Sequence, residues 1–238
     1  MKDNKKRIGR AIVLLLLSDR CALEKEVIGG VKYSIAEREC QRGKIYRWLV
    51  ENGYNLFASK DEMLIFEQSV SVSSDLSGYQ VVHEGLEPIL WSLGLIKKLS
   101  SYDSYVLSDF HPILEIGKFH NIDNIVKKIN PLTEKEIEIQ KDVSLLWNWR
   151  SRMGKNEIFL EKNAEDIIID TFGHEFGKAL KKIDFAKESP KDFKVNLKPF
   201  NQLTDNELLP IKELALWRHH SFEWMLSSKE WQDVETNT

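Results

Sequence analysis

The sequence predicts a mainly α fold: a single compact multi-helix domain over residues 1–238, with at most a short, vestigial β-hairpin. Three observations carry this expectation. Four times a Ser or Thr is followed three residues later by Glu, at Ser34/Glu37, Ser59/Glu62, Thr133/Glu136 and Thr204/Glu207. This is the capping box, in which the hydroxyl accepts from the N3 amide and the carboxylate accepts from the cap's own amide. Behind the boxes, apolar residues recur at helical spacing. No unit of ~20 to 50 residues repeats, so the helices do not form a solenoid of recognisable modules.

Taken in order, the first element is Ala11 to Leu17 (AIVLLLL), behind the basic start KDNKKRIGR. It is far shorter than the ~20 residues that span a bilayer. Ser18-Asp19-Arg20 stands where a signal peptide would carry its small-residue cleavage site. The run therefore reads as a buried first helix, and no membrane association is expected. After Ser34 a helix with Ile35, Ala36, Cys40, Tyr46 and Leu49 closes at Asn52-Gly53, and another follows Ser59 with Met63, Leu64 and Phe66. Ser69 to Gly78 is a small-residue loop that tolerates a short strand at Val70 and Val72.

Val82, Leu86, Ile89, Leu90 and Leu93 give a core helix within Tyr79 to Ile96, with a kink or boundary at Pro88. Ser100 to Asn130 is mixed, with room for one short helix. Pro131 and Thr133 announce a helix that closes at Gly154, and a further helical stretch carries Ala164, Ile167, Ile168, Phe172, Phe176, Ala179 and Ile183. Lys187 to Pro199 is a loop in which Val195 and Leu197 suit a strand. Thr204 caps the last helix, with Pro210 interrupting its first turns.

A net charge of -3 from 34 basic and 37 acidic residues, mixed along the chain, offers no basic stripe for a nucleic-acid backbone. Nucleic acid is not an expected partner. The two cysteines, Cys21 and Cys40, lack any metal-ligand spacing and suit reduced thiols in a cytoplasmic protein.

Few motifs carry chemistry. His174-Glu175 opens like the zinc-protease HExxH, but Lys178 stands where the second histidine is needed. His219 and His220 are adjacent, so on a helix they point about 100° apart and do not share a metal. No GxSxG elbow, GxxxxGK or GxGxxG occurs, and neither a metal nor a cofactor is expected. Arg218 falls inside the apolar stripe of the last helix, where a guanidinium must be paired. Glu84 is the complementary residue of the central helix, and an interior Glu84–Arg218 ion pair is expected.

His83 to Leu99 (HEGLEPILWSLGLIKKL), with ELALWRHHSFEWML and the closing WQDVETNT, resembles the bacterial family known as domain of unknown function 4272. The matching positions are Glu84, Trp91, Gly94, Arg218, His219, Trp224, Leu226, Trp231, Asp233, Val234, Thr236 and Thr238. The chain departs from the family's pattern at Trp217, Glu223, Gln232 and Asn237. The resemblance implies a shared architecture and no reaction.

Two function classes follow. One is a non-enzymatic cytoplasmic domain that binds another protein, of which an immunity-type protein that neutralises its partner is one form. The other is an enzyme whose site gathers Glu84, Arg218, His219 and Asp233 where the tail folds back on the last helix, supported by Trp91, Trp224 and Trp231.

Overall fold

The computed structural model describes the chain except residues 71–75, 77–80, 104, 106–108, 119–121, 189 and 237–238. The loop expected over Ser69 to Gly78, with its tolerated strand, lies largely outside the described residues. Among those described, ten helices alternate with short turns: α1 (Asn4–Ala22), α2 (Ile35–Glu51), α3 (Lys60–Glu67), α4 (Leu86–Ser92), α5 (Ile122–Val126), α6 (Glu134–Met153), α7 (Ile158–Glu161), α8 (Ala164–Phe172), α9 (Gly177–Leu180) and α10 (Asp205–Leu226). Two small antiparallel hairpins complete the fold, β1 (Val27–Ile28) with β2 (Val31–Lys32) and β3 (Lys194–Val195) with β4 (Lys198–Pro199). The architecture is compact and mainly α.

All four capping boxes form, at Ser34, Ser59, Thr133 and Thr204, each with both reciprocal hydrogen bonds. Asn52 and Gly53 close α2, Gly53 taking φ 74, where a side chain would clash with its own backbone. The apolar run of α1 is buried from Ile8 through Leu17, as its composition requires.

Four expectations need correction. The helix over Tyr79 to Ile96 is shorter: a 3-10 turn at Val82–Gly85 precedes α4, which ends at Ser92. Of the kink or boundary expected at Pro88 it is the boundary that forms, at Gly85/Leu86; Pro88 is the third residue of α4, where its missing N–H is one the helix leaves unbonded anyway. The stretch from Ala164 to Ile183 is broken at Gly173, giving α8, a 3-10 turn and α9. Pro210 does not interrupt α10: packing of Leu208, Ile211, Leu214 and Ala215 keeps the helix continuous through it. Finally, Leu197 is a turn residue, not a strand residue, and a second hairpin forms at β1–β2, where Gly29-Gly30 makes the turn.

Two hydrophobic clusters form the interior. The first gathers α1, α4 and the C-terminal half of α10 through Ile8, Leu14, Leu86, Leu90, Phe222 and Trp224. The second gathers α6, α8, α9 and the β3–β4 hairpin through Leu146, Trp147, Ile168, Leu180 and Val195. Helix α10 belongs to both, its Leu208, Ile211 and Ala215 lying in the second cluster and Phe222, Trp224 and Met225 in the first.

Buried arginines tie the layers together. Arg7 on α1 donates to Ser92 O at 3.2 Å and Ser92 Oγ at 3.0 Å. Arg38 on α2 caps the end of α1 by donating to Leu23 O at 2.9 Å and Glu24 O at 3.1 Å. Arg10 pairs with Glu62, its Nη1 lying 2.8 Å from Oε2. Glu62 is also the capping-box carboxylate of α3, so one side chain both starts a helix and docks it on α1. Burial alone would raise the Glu62 carboxyl, but Arg10 and the Ser59 cap hold it below the usual carboxylate range.

Candidate functional site

Arg218 lies inside α10 and is sealed from solvent, as its place in the apolar stripe demands. Its partner is Glu87 rather than Glu84: Arg218 Nη2 stands 2.7 Å from Glu87 Oε2. The expected Glu84–Arg218 pair is therefore corrected by three positions. Glu84 and Glu87 are three residues apart, but Glu84 lies in the 3-10 turn before α4, where its carboxylate meets His83, while Glu87 lies on α4 against α10. Arg218 Nη1 also donates to Ser100 O at 2.6 Å, while Glu87 Oε1 accepts from Ser100 N at 2.7 Å and Ser100 Oγ at 2.6 Å. Tyr102 lays its ring 4.7 Å from the guanidinium carbon and stacks on Trp147 at 4.6 Å between centroids. Burial pushes the Tyr102 phenol up to about 12, against the pull of the adjacent guanidinium.

The other candidates do not join this network into an open site. Glu84 is fully buried, with Oε1 3.1 Å from His83 Nε2. His219 is buried on a neighbouring face of α10, its Nδ1 3.3 Å from Ser144 Oγ. The Ser144 hydroxyl donates to Lys141 O at 2.6 Å, so it accepts from His219, which places the ring proton on Nδ1. Burial lowers the His219 imidazole to about 4, aided by Lys141 and His220. Asp233 is exposed in the 3-10 turn Trp231–Asp233.

The tail does fold back on α10. His220 Nε2 lies 3.0 Å from Trp231 O, and Trp231 packs against Trp217, His220 and Trp224. The Arg10 guanidinium covers the Trp231 ring at 4.3 Å. Trp91 meets Phe222 edge-on at 6.1 Å, within the first cluster. Trp217, Trp224 and Trp231 thus hold the tail on the last helix, and Trp91 packs against that helix at Phe222. Asn237 and Thr238 lie outside the described residues.

Among the described residues, no three His, Cys, Asp or Glu side chains converge as a metal site, and no helix is long and apolar enough to cross a membrane. His174 is exposed in a 3-10 turn and belongs to no such group.

A groove of about 680 Å³ opens where the two clusters meet, and nothing in the sequence pointed to it. One wall carries Trp91, Lys97 and Lys98, and the other carries Val143, Lys182 and Lys194. These lysines come from segments 84 or more residues apart in sequence, separated by α5 to α9, so no local pattern links them. Comparison with family models, with curated proteins and with solved structures returns no match.

Proposed function

We propose that this chain is a non-enzymatic cytoplasmic domain that binds another protein, with the β1–β2 hairpin and the start of α2 as its contact face. One observation carries the reading: Val27, Val31 and Ile35 are 54%, 53% and 55% exposed within nine residues of chain. By the register of the hairpin Val27 and Val31 point to opposite faces, and Ile35 opens α2, so a partner would have to grip the hairpin from both sides; branched apolar side chains lose little entropy when covered, and their burial favours association. The internal use of the chemistry-bearing groups supports a non-enzymatic role. Arg218 is committed to Glu87 and Ser100, Arg150 to Asp192, and His219 to Ser144. The two thiols, Cys21 buried and Cys40 exposed, suit a reducing compartment. The family resemblance through Glu84, Trp91, Arg218 and Trp231 stands beside this reading, and neutralising a partner in the manner of an immunity protein is one form of it.

The test is affinity capture from the native host with mass spectrometry, run in parallel with wild type and V27D/V31D/I35D. A protein retained by wild type and lost from the folded variant supports the reading. Equal retention by both, or no protein retained by either, overturns it.

A further inference from the structure

The groove between the two clusters carries more charge than its own walls neutralise. Lys194 is committed to Asp184 at 2.6 Å. Asp103, on the opposite rim, accepts from Ser101 Oγ at 3.0 Å and from Asn196 N at 3.3 Å, so its carboxylate ties the hairpin turn to the other wall. Lys97, Lys98 and Lys182 line the same groove with no carboxylate partner among the described residues. Asp103 keeps its charge under these neutral donors, so these three lysines stand against one carboxylate, and the net positive charge of the concavity favours an anion.

The rest of the lining sets the second half of the ligand. Trp91 and Leu99 supply an apolar wall from the first cluster, and Val143 supplies one from the second. Leu197 stands at the rim, 86% exposed, on a backbone at φ 69 beside Asn196 at φ 47. The two-residue β3–β4 turn requires positive φ at both positions, which asparagine tolerates and leucine disfavours, and folding buries none of the leucine side chain in return. At about 680 Å³ the groove has the size of a small-molecule site, and it lies at a junction between packed units, where such sites concentrate.

We propose that this groove binds a small organic phosphate, with its anionic end held by Lys97, Lys98 and Lys182 and its apolar body laid against Trp91 and Leu197. Lysine suits this role as a mobile point charge for phosphate oxygens, and a phosphate ester brings nearly two negative charges at neutral pH. The inference is independent of the protein-binding face at β1–β2, which lies on other elements.

Isothermal titration calorimetry on the full chain at low salt tests it, with ATP, inorganic tripolyphosphate, adenosine and an oligoglutamate peptide as probes. ATP is expected to bind tightest, tripolyphosphate more weakly and adenosine least. K97E/K98E/K182E is expected to weaken ATP by more than about tenfold, and Leu197→Ser to weaken ATP about threefold while leaving tripolyphosphate unchanged. All four positions are exposed, so the variants should fold, and circular dichroism checks this. K97Q/K98Q/K182Q serves as the milder variant and should still lose most of the affinity. Absence of ATP binding, equal binding by the charge-reversed variant, or oligoglutamate binding as tightly as ATP would each overturn the proposal, the last in favour of an acidic protein segment.

Discussion

Arg218 Nη2 and Glu87 Oε2 lie 2.7 Å apart with both side chains closed to solvent, and this pair locks the last helix onto α4. Removing one partner leaves the other charge buried and alone. Arg218→Met is therefore expected to cost on the order of 3–5 kcal/mol in urea denaturation. The double variant E87Q/R218M should recover at least half of that loss, because the introduced amide oxygen can still accept from the Ser100 amide and no bare charge remains. A double variant as unstable as R218M would show that the loss is one of packing rather than of charge.

Arg150 and Asp192 make a second sealed pair, this one bidentate, with Nε to Oδ1 at 2.8 Å and Nη2 to Oδ2 at 2.6 Å. The guanidinium also stands 3.7 Å from the Phe159 ring and 4.2 Å from the Phe200 ring. Lysine offers the charge but neither the fork nor the planar face. Arg150→Lys should accordingly lose about 3 kcal/mol, close to the loss in Asp192→Asn, as read from denaturation midpoints.

His219 and His220 weaken the fold as pH falls. Burial lowers both imidazoles to about 4, so the folded chain resists protonation while the unfolded chain takes up protons near pH 6.5. Their cost is absent above pH 6.5, grows as pH falls, and levels off below about pH 4. The slope between pH 6.5 and 4.5 should flatten measurably in His219→Gln, whose amide can also donate to Ser144, and thermal melts across that range check it.

His111 acts at the opposite end. Its Nε2 lies 2.8 Å from Asp19 Oδ2 and its Nδ1 2.7 Å from Asp109 Oδ1, and these two carboxylates raise the imidazole to about 9. With the folded value above the unfolded one, its stabilising contribution is complete below pH 6.5 and is lost as pH rises through 9. The triad is partly exposed, so solvent screening limits the effect to about 1 kcal/mol. Asp19→Asn should move the His111 titration, followed by NMR, down toward the ordinary histidine range and remove most of the alkaline slope.

Gly94 turns the chain out of α4 at φ 70, and a methyl there would overlap the backbone carbonyl of Asn130. Asn130 N in turn bonds Leu93 O at 3.1 Å, so neither side of the contact can withdraw freely. Gly94→Ala is expected to cost more than about 2 kcal/mol by thermal denaturation. Gly43→Ala, on α2 where an added methyl meets nothing, is the control and should be neutral or slightly stabilising.

What the sequence determined by itself was local. Capping boxes at Ser34, Ser59, Thr133 and Thr204 are reciprocal bonds between residues three apart, so their outcome rests on nothing distant. The burial of Arg218 was equally legible, because its place in an apolar stripe fixes which way it faces. Tertiary structure decided what required phase or distance. Which of Glu84 and Glu87 reaches Arg218 was settled by tertiary contacts: Glu84 meets His83, and Glu87 meets Arg218. The continuous passage of α10 through Pro210 likewise rests on the cores that grip it on either side. The lysine groove was invisible for the same reason: Lys97 and Lys182, far apart in the chain, come to line one groove only when the two clusters close on α10.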